Sequence, residues 1–293
     1  MMGWLAYLTV ALVWGSTYFA IAVGLESFTP YGLVAVRFTM ASLLALGLGR
    51  LRREAWPPAR ELPHIVFVGV LLLGCANTLV SWAELSVPSG VAAVLAALVP
   101  LWLAVFTLAK EPLGPKGWMG LALGLVGVVV LVWPTGSLRV PAGGFGALLL
   151  GSLLWSWGTL HGKRHIHGGG LLTQVGIQMA TAALMGWALA PILGGCLRGP
   201  LHAKAVLAVG YLALFGSVLA FSAYSYLAKA WSPAKMGTYA YLNPLVAVFL
   251  GTLVLKEPFG GRGLAGMLII LSAVALVQLR PKPLVPEALP EAP

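Results

Sequence analysis

The stretch Leu98-Val99-Pro100-Leu101, followed by Lys110-Glu111-Pro112, recurs further along the chain as Leu242-Asn243-Pro244-Leu245 followed by Lys256-Glu257-Pro258. Upstream of the same runs, Val87-Pro88 is matched by Ser232-Pro233, and Trp14-Gly15 corresponds to Trp155-Ser156. Chance likeness among apolar segments does not readily place two Lys-Glu-Pro tripeptides at matching positions. The chain therefore reads as one unit written twice, over 1–136 and 137–280. A Pro/Glu-rich tail at 281–293 is expected to be disordered.

Each unit carries five apolar runs. A bilayer core of about 30 Å needs about 20 apolar residues of helix, at roughly 1.5 Å rise each. The runs 4–23, 30–49, 64–83, 90–109, 117–134, 143–162, 171–193, 203–228, 235–255 and 262–280 satisfy that requirement. They are continuously apolar and lack the alternation of a barrel strand, so the expected fold class is an all-α membrane protein of ten transmembrane helices. Five is odd, so the second unit enters the membrane from the opposite side and the two form an inverted-topology repeat around a central cavity.

Composition agrees: 59% of the 293 residues are hydrophobic and 9% charged, against about 25% charged in a soluble domain. The net charge of +10 resides in short gaps between runs, where Lys and Arg set topology and meet anionic headgroups, so nucleic acid is not an expected partner. With the N-terminus inside, Arg50, Arg52, Arg53, Arg60, Lys110, Lys116, Lys163, Arg164, Lys229, Lys235, Arg280 and Lys282 lie in inner loops. Arg139, Arg198, Lys204, Lys256 and Arg262 lie outside. Twelve against five places both termini in the cytoplasm. Run 4–23 has no basic segment before it and reads as a first span, not a cleaved signal. Cys75 and Cys196 imply neither a disulfide framework nor a Cys-rich metal site.

The segments Trp14-Gly15-Ser16-Thr17-Tyr18-Phe19, Arg37-Phe38, Pro88-Ser89-Gly90-Val91-Ala92-Ala93 and Ser232-Pro233-Ala234, with Tyr239-Ala240-Tyr241-Leu242-Asn243-Pro244 and the two Lys-Glu-Pro elements, carry a resemblance. In order and spacing they resemble the EamA-type, ten-helix branch of the drug/metabolite transporter superfamily. The resemblance covers all but the tail. It implies two inverted five-helix repeats, with a cavity lined mostly by the first, third, fourth, sixth, eighth and ninth helices, in the plasma (bacterial inner) membrane. Members include bacterial exporters of amino acids and related metabolites, an aromatic amino acid exporter among them. Drugs, sugars or nucleotide-linked compounds stay open as cargo.

Polar groups inside a bilayer are functional candidates, although Ser, Thr and Asn also join helices. Asn77, Ser81 and Glu84 fall at i, i+4 and i+7, one helical face, expected as a hydrated stripe with Glu84 at a solvated mouth. Helix–helix hydrogen bonding is the other reading. Among the aromatics, Trp4, Trp56, Trp118, Trp133 and Trp231 sit at span ends as interface-belt residues. Trp14, Tyr18, Trp82, Trp102, Trp155, Trp157, Tyr226, Tyr239 and Tyr241 are candidates for an aromatic cavity wall that binds an amphipathic solute by stacking and cation–π contact. Packing serves any single ring equally well. Pro100 and Pro244 are candidate kinks, each freeing a backbone carbonyl, with Asn243 beside Pro244 able to satisfy it or meet a substrate.

Arg37 is the one basic residue well inside a run, where its charge costs about 2.5–3.5 kcal/mol on insertion scales. It is a candidate for carboxylate recognition; alternatively it bonds the carbonyls of a neighbouring helix or snorkels outward. Gln178 is its counterpart at the repeat offset, on a face with Gln174 and Thr181. There is no aspartate, and all eight glutamates lie at span ends, in loops or in the tail, so flux is expected to follow the substrate gradient and not a mid-membrane carboxylate relay. His161, His165 and His167 flank Lys163 and Arg164; with no acid or Cys near in sequence they read as a headgroup-facing loop, and no metal is expected. No phosphate loop, nucleophile elbow or metalloprotease helix appears, so neither catalytic residues nor cofactors are expected. A channel would show a filter loop or charged rings. Gly120 and Gly124 suit close helix packing within a monomer or a weak dimer.

Overall fold

A computed structural model describes residues 2–87, 89–109, 114–132, 141–255 and 261–278. Pro88, Trp133, both Lys-Glu-Pro elements, the 136/137 boundary and the 281–293 tail lie outside the described residues. Among the described residues the chain is helical throughout, apart from one isolated antiparallel bridge between Phe28 and Leu197.

The helices are α1 (Met2–Gly24), α2 (Pro30–Leu51), α3 (Ala59–Ala83), α4 (Ser89–Ala96), α5 (Val99–Thr107) and α6 (Pro115–Val132), then α7 (Ala142–His165), α8 (Leu171–Leu189), α9 (Ala203–Ala230), α10 (Pro233–Gly237), α11 (Tyr239–Leu255) and α12 (Gly261–Gln278). Starts follow local chemistry. Thr29 caps α2, its hydroxyl oxygen accepting the Gly32 N–H at 3.0 Å, and Pro30 occupies the first turn, where no N–H partner is lost. α1, α2, α3 and α9 are each long and apolar enough to cross a membrane, and α6 and α12 hold shorter apolar stretches.

The solvent preference of a soluble fold is inverted. Leu5, Leu8, Leu12, Leu43, Leu184 and Leu207 are exposed on the outer faces, while Arg37, Ser217, Gln178 and Asn243 are buried. Such an exterior suits lipid and not water.

Two helices are irregular in the same way. α3 widens into π-helical geometry over Gly69–Ala76 and α9 over Leu212–Leu219. In both, a polar side chain bonds the loosened backbone five residues back: Asn77 Nδ2 donates to the Leu72 carbonyl at 2.9 Å, and Ser217 Oγ to the Leu212 carbonyl at 2.9 Å. The expected fourth and ninth spans are also interrupted. Pro100 stands in the first turn of α5, after the break that separates it from α4, instead of kinking one long helix, because its missing N–H is harmless there. Pro244 lies inside α11, just beyond the break at Thr238.

α2 packs along α8, α6 along α12, and α1 against α9 and α11; α7 packs against α3 and against α4 and α5. Gly120 and Gly124 serve these internal contacts: a Cβ there would meet Val277 of α12 and Tyr241 of α11. The largest core gathers Tyr7, Phe38, Leu72, Met179, Phe221 and Tyr224; a second joins Leu121, Tyr241, Ile270 and Val277.

Candidate functional site

A cavity of about 100 Å³, smaller than the about 300–1,000 Å³ usual for small-molecule sites, lies between α1, α2, α3, α7, α9 and α11, with Ala96 of α4 and Val99 of α5 completing its wall. Of the residues singled out from sequence, Trp14, Tyr18, Arg37, Asn77, Trp155, Tyr239 and Asn243 line it.

Arg37 is 4% exposed. Its Nε donates to Ser217 Oγ at 2.9 Å and one terminal nitrogen donates to Asn77 Oδ1 at 3.3 Å. It thus does not snorkel outward, and among the described residues its partners on neighbouring helices are side chains, not carbonyls. The guanidinium spans the two π-helical segments, since Asn77 follows the one in α3 and Ser217 belongs to the one in α9. Two of its five N–H groups are engaged, and among the described residues no carboxylate pairs with it. A buried cation without a counter-ion is costly; the Phe38 ring, its centroid 4.8 Å from the guanidinium carbon, offsets part of that cost by a cation–π contact.

Above it stands an aromatic box. Trp14 meets Trp155 edge to face with centroids 5.2 Å apart, and lies 5.0 Å from Tyr224 and 5.2 Å from Tyr239. Trp14 Nε1 donates to the Gly216 carbonyl, within the π-helical stretch, at 2.9 Å, and Trp155 Nε1 donates to the Tyr224 hydroxyl at 2.9 Å. With its amide turned to donate, Asn243 Nδ2 reaches the carbonyls of Tyr239 and Ala11, each at 3.2 Å. The ring N–H groups of Trp14 and Trp155 and the Tyr224 hydroxyl all have partners, so these rings are held in fixed orientation.

A second, smaller cavity of about 40 Å³ lies beyond this box, lined among others by Gln178, Tyr224, Thr159, Lys163 and Lys229. Phe221 borders both cavities, and Phe221, Tyr224 and Trp155 form the partition between them.

The structure separates the remaining candidates from the cavity. Trp82 (42% exposed) and Trp157 (50% exposed) face outward; Trp157 follows Trp155 by two residues, about 200° around the helix, so both cannot face inward. Trp102 turns its ring N–H to Ser152 Oγ at 3.1 Å, behind the cavity wall. Tyr226 packs at the edge of the main core, and Tyr241 is buried in the second core, donating to the Leu121 carbonyl at 3.0 Å. Ser81 is buried and its hydroxyl has no hydrogen-bond partner among the described residues. Glu84 differs from the solvated mouth expected of it: both carboxylate oxygens are enclosed and, among the described residues, have no hydrogen-bond partner.

Sequence reading passed over Ser217, Phe221 and Tyr224. The signal was present, for the three fall at i, i+4 and i+7 on one face of α9, while Tyr226 is on the other.

A helical bundle with an apolar exterior and a central polar-floored, aromatic-walled cavity defines a multi-pass membrane transporter. The chain belongs to the EamA-like transporter family, whose model matches residues 1–133 and again 143–279. Among its relatives, the uncharacterized inner membrane transporter YedA of Escherichia coli K12 is 38% identical over 276 residues, covering 94% of this chain and 90% of that one. A probable terminal-alkyne amino-acid exporter of Streptantibioticus cattleyicolor is 31% identical over 91% of this chain and 92% of its own. A probable amino-acid metabolite efflux pump of Salmonella typhimurium is 26% identical, with 93% of each covered. A solved crystal structure superposes with a TM-score of 0.77 at 23% identity, over 94% of this chain and 96% of its own, a likeness of fold.

Proposed function

We propose that the protein is a secondary carrier of the inner membrane that exports amino acids or similar small metabolites by alternating access. The observation that carries the reading is Arg37, an unpaired guanidinium on the floor of an aromatic cavity. It offers N–H donors to a carboxylate, while Trp14, Trp155 and Tyr239 offer ring faces to an ammonium or an apolar side chain.

Ten spans in two inverted repeats fit the packing. Exchanging α1 with α7, α2 with α8, α3 with α9, α4 and α5 with α10 and α11, and α6 with α12 maps the principal contacts onto themselves. In such a carrier the larger cavity is the binding site, the smaller one its image on the other side, and the Phe221–Tyr224–Trp155 partition the barrier crossed when the halves rock. Both termini are cytoplasmic, in keeping with the Lys/Arg bias. Exporters among the relatives support the direction.

Proteoliposome counterflow with labelled amino acids, sugars and nucleotide-linked compounds tests the proposal. Saturable counterflow with amino acids is expected. Exchange confined to sugars or nucleotide-linked compounds overturns the cargo, and flux without saturation or counterflow points to a channel.

A further inference from the structure

At the end of α7, His161 and His165 lie one turn apart, and folding brings to them a third imidazole, His64 of α3, 97 residues before His161. The rings are mutually stacked or tilted, with centroids 4.3–5.1 Å apart, and one ligand nitrogen from each lies within 4.8 Å of the others. We propose that these three histidines bind a zinc-class divalent ion, one site per chain, fastening the start of α3 to the end of α7.

His64 Nδ1 and His161 Nε2 are 3.1 Å apart. Sharing one proton makes this a hydrogen bond, yet the spacing is also close to the about 3.3 Å between two nitrogens bound tetrahedrally at about 2.0–2.1 Å from zinc. His165 Nδ1 stands 2.9 Å from the His161 carbonyl, which only accepts, so this nitrogen carries the proton and Nε2 keeps its lone pair for an ion. That backbone bond is the outer-shell support typical of a metal-bound histidine. Phe67 lies edge to face against His161 at 4.7 Å and supplies an apolar wall.

His165 is exposed, so its ring has room to close on an ion while its Nδ1 stays on the His161 carbonyl. The neighbouring cations do not fill the cluster: Lys163 Nζ donates to the Trp231 carbonyl at 2.6 Å, and Arg164 is exposed. Three neutral imidazoles, with no carboxylate among them, favour zinc, copper(II), nickel or cobalt over calcium and magnesium, and water completes the fourth position. His167, expected from sequence to share the loop with this pair, is turned to the Arg164 carbonyl at 3.0 Å and takes no part.

The test uses full-length protein in detergent, freed of any polyhistidine tag and stripped with chelator. Titration with Co²⁺ should give one-to-one binding with intense visible bands of a tetrahedral ion, displaced by Zn²⁺. His64→Gln should weaken binding by more than about 100-fold, beyond the about 10–100-fold typical of losing an outer-shell partner, because only the i, i+4 pair of His161 and His165 remains. His167→Gln should leave binding unchanged. His64→Cys, a change of one ligand for another, should keep the ion and add a thiolate-to-cobalt absorption, and it decides the matter if His64→Gln does not fold. No one-to-one binding by the wild type, equal affinity in His64→Gln, or no thiolate band in His64→Cys overturns the proposal.

Discussion

Replacing Arg37 with Gln separates recognition from structure. Arg37 donates to Ser217 and Asn77, and a glutamine retains a donor and an acceptor for those partners while removing the charge. Loss of a charge-assisted bond to a substrate carboxylate, worth about 1.5–3 kcal/mol, raises the half-saturating concentration about 12- to 140-fold, at about 1.4 kcal/mol per decade. The corresponding amine without the carboxylate should be unaffected. Stability works the other way: removing an unpaired buried cation relieves up to about 2.5–3.5 kcal/mol of insertion cost, so the melting temperature should hold or rise. The assay is counterflow in proteoliposomes with a matched pair of substrates, carboxylate and decarboxylated, beside a thermal melt of the same preparation. A well-inserted, folded variant whose carboxylate affinity stays within about threefold of wild type would refute the reasoning and leave Arg37 as a tie between the two π-helical segments.

Three further outcomes are expected. Tyr224→Phe removes the hydroxyl that accepts from Trp155 Nε1 and pairs with Thr159; the stranded indole N–H should destabilise the protein by about 1–3 kcal/mol in denaturation. At Gly186 a Cβ would lie 2.7 Å from the Ala35 backbone nitrogen, whereas at Gly210 nothing lies within 4 Å. Gly186→Leu should therefore lower the yield of folded, monodisperse protein sharply and Gly210→Ala should not; equal yields would contradict the α2–α8 contact described. Last, a proton gradient imposed alone should not concentrate substrate in proteoliposomes. Accumulation that disappears in Glu84→Gln would show that the enclosed carboxyl of Glu84 moves protons.

Long spans are legible because lipid demands so little: about 20 apolar residues between punctuation marks. The run expected at 30–49 is the helix Pro30–Leu51, opened by Thr29-Pro30, and the run at 171–193 begins as expected at Leu171. Facing is less legible. In a water-soluble helix polarity separates inside from outside, but here both sides are apolar, so Trp82, Trp157 and Tyr241 carried no mark to distinguish them from Trp14 and Trp155. The His64 contact was out of reach for another reason, since nothing in the local pattern joins residues 97 apart that meet only after two helices pack. Arg37 stood out from the beginning because one charge in an apolar run is conspicuous; that its partners would be side chains of two different helices was not.

The widened turns at Gly69–Ala76 and Leu212–Leu219 have a bearing on how this chain tolerates change in length. A π-helical turn accommodates a residue that a regular α-helix would not, and one residue is worth about 100° of rotation. Deleting one residue there would straighten the helix and swing everything beyond it, Asn77 in one case and Phe221 with Tyr224 in the other, off the cavity wall. In these two stretches a single-codon deletion would rewrite the chemistry of the pathway as thoroughly as several substitutions, even where the deleted residue does not itself line the cavity.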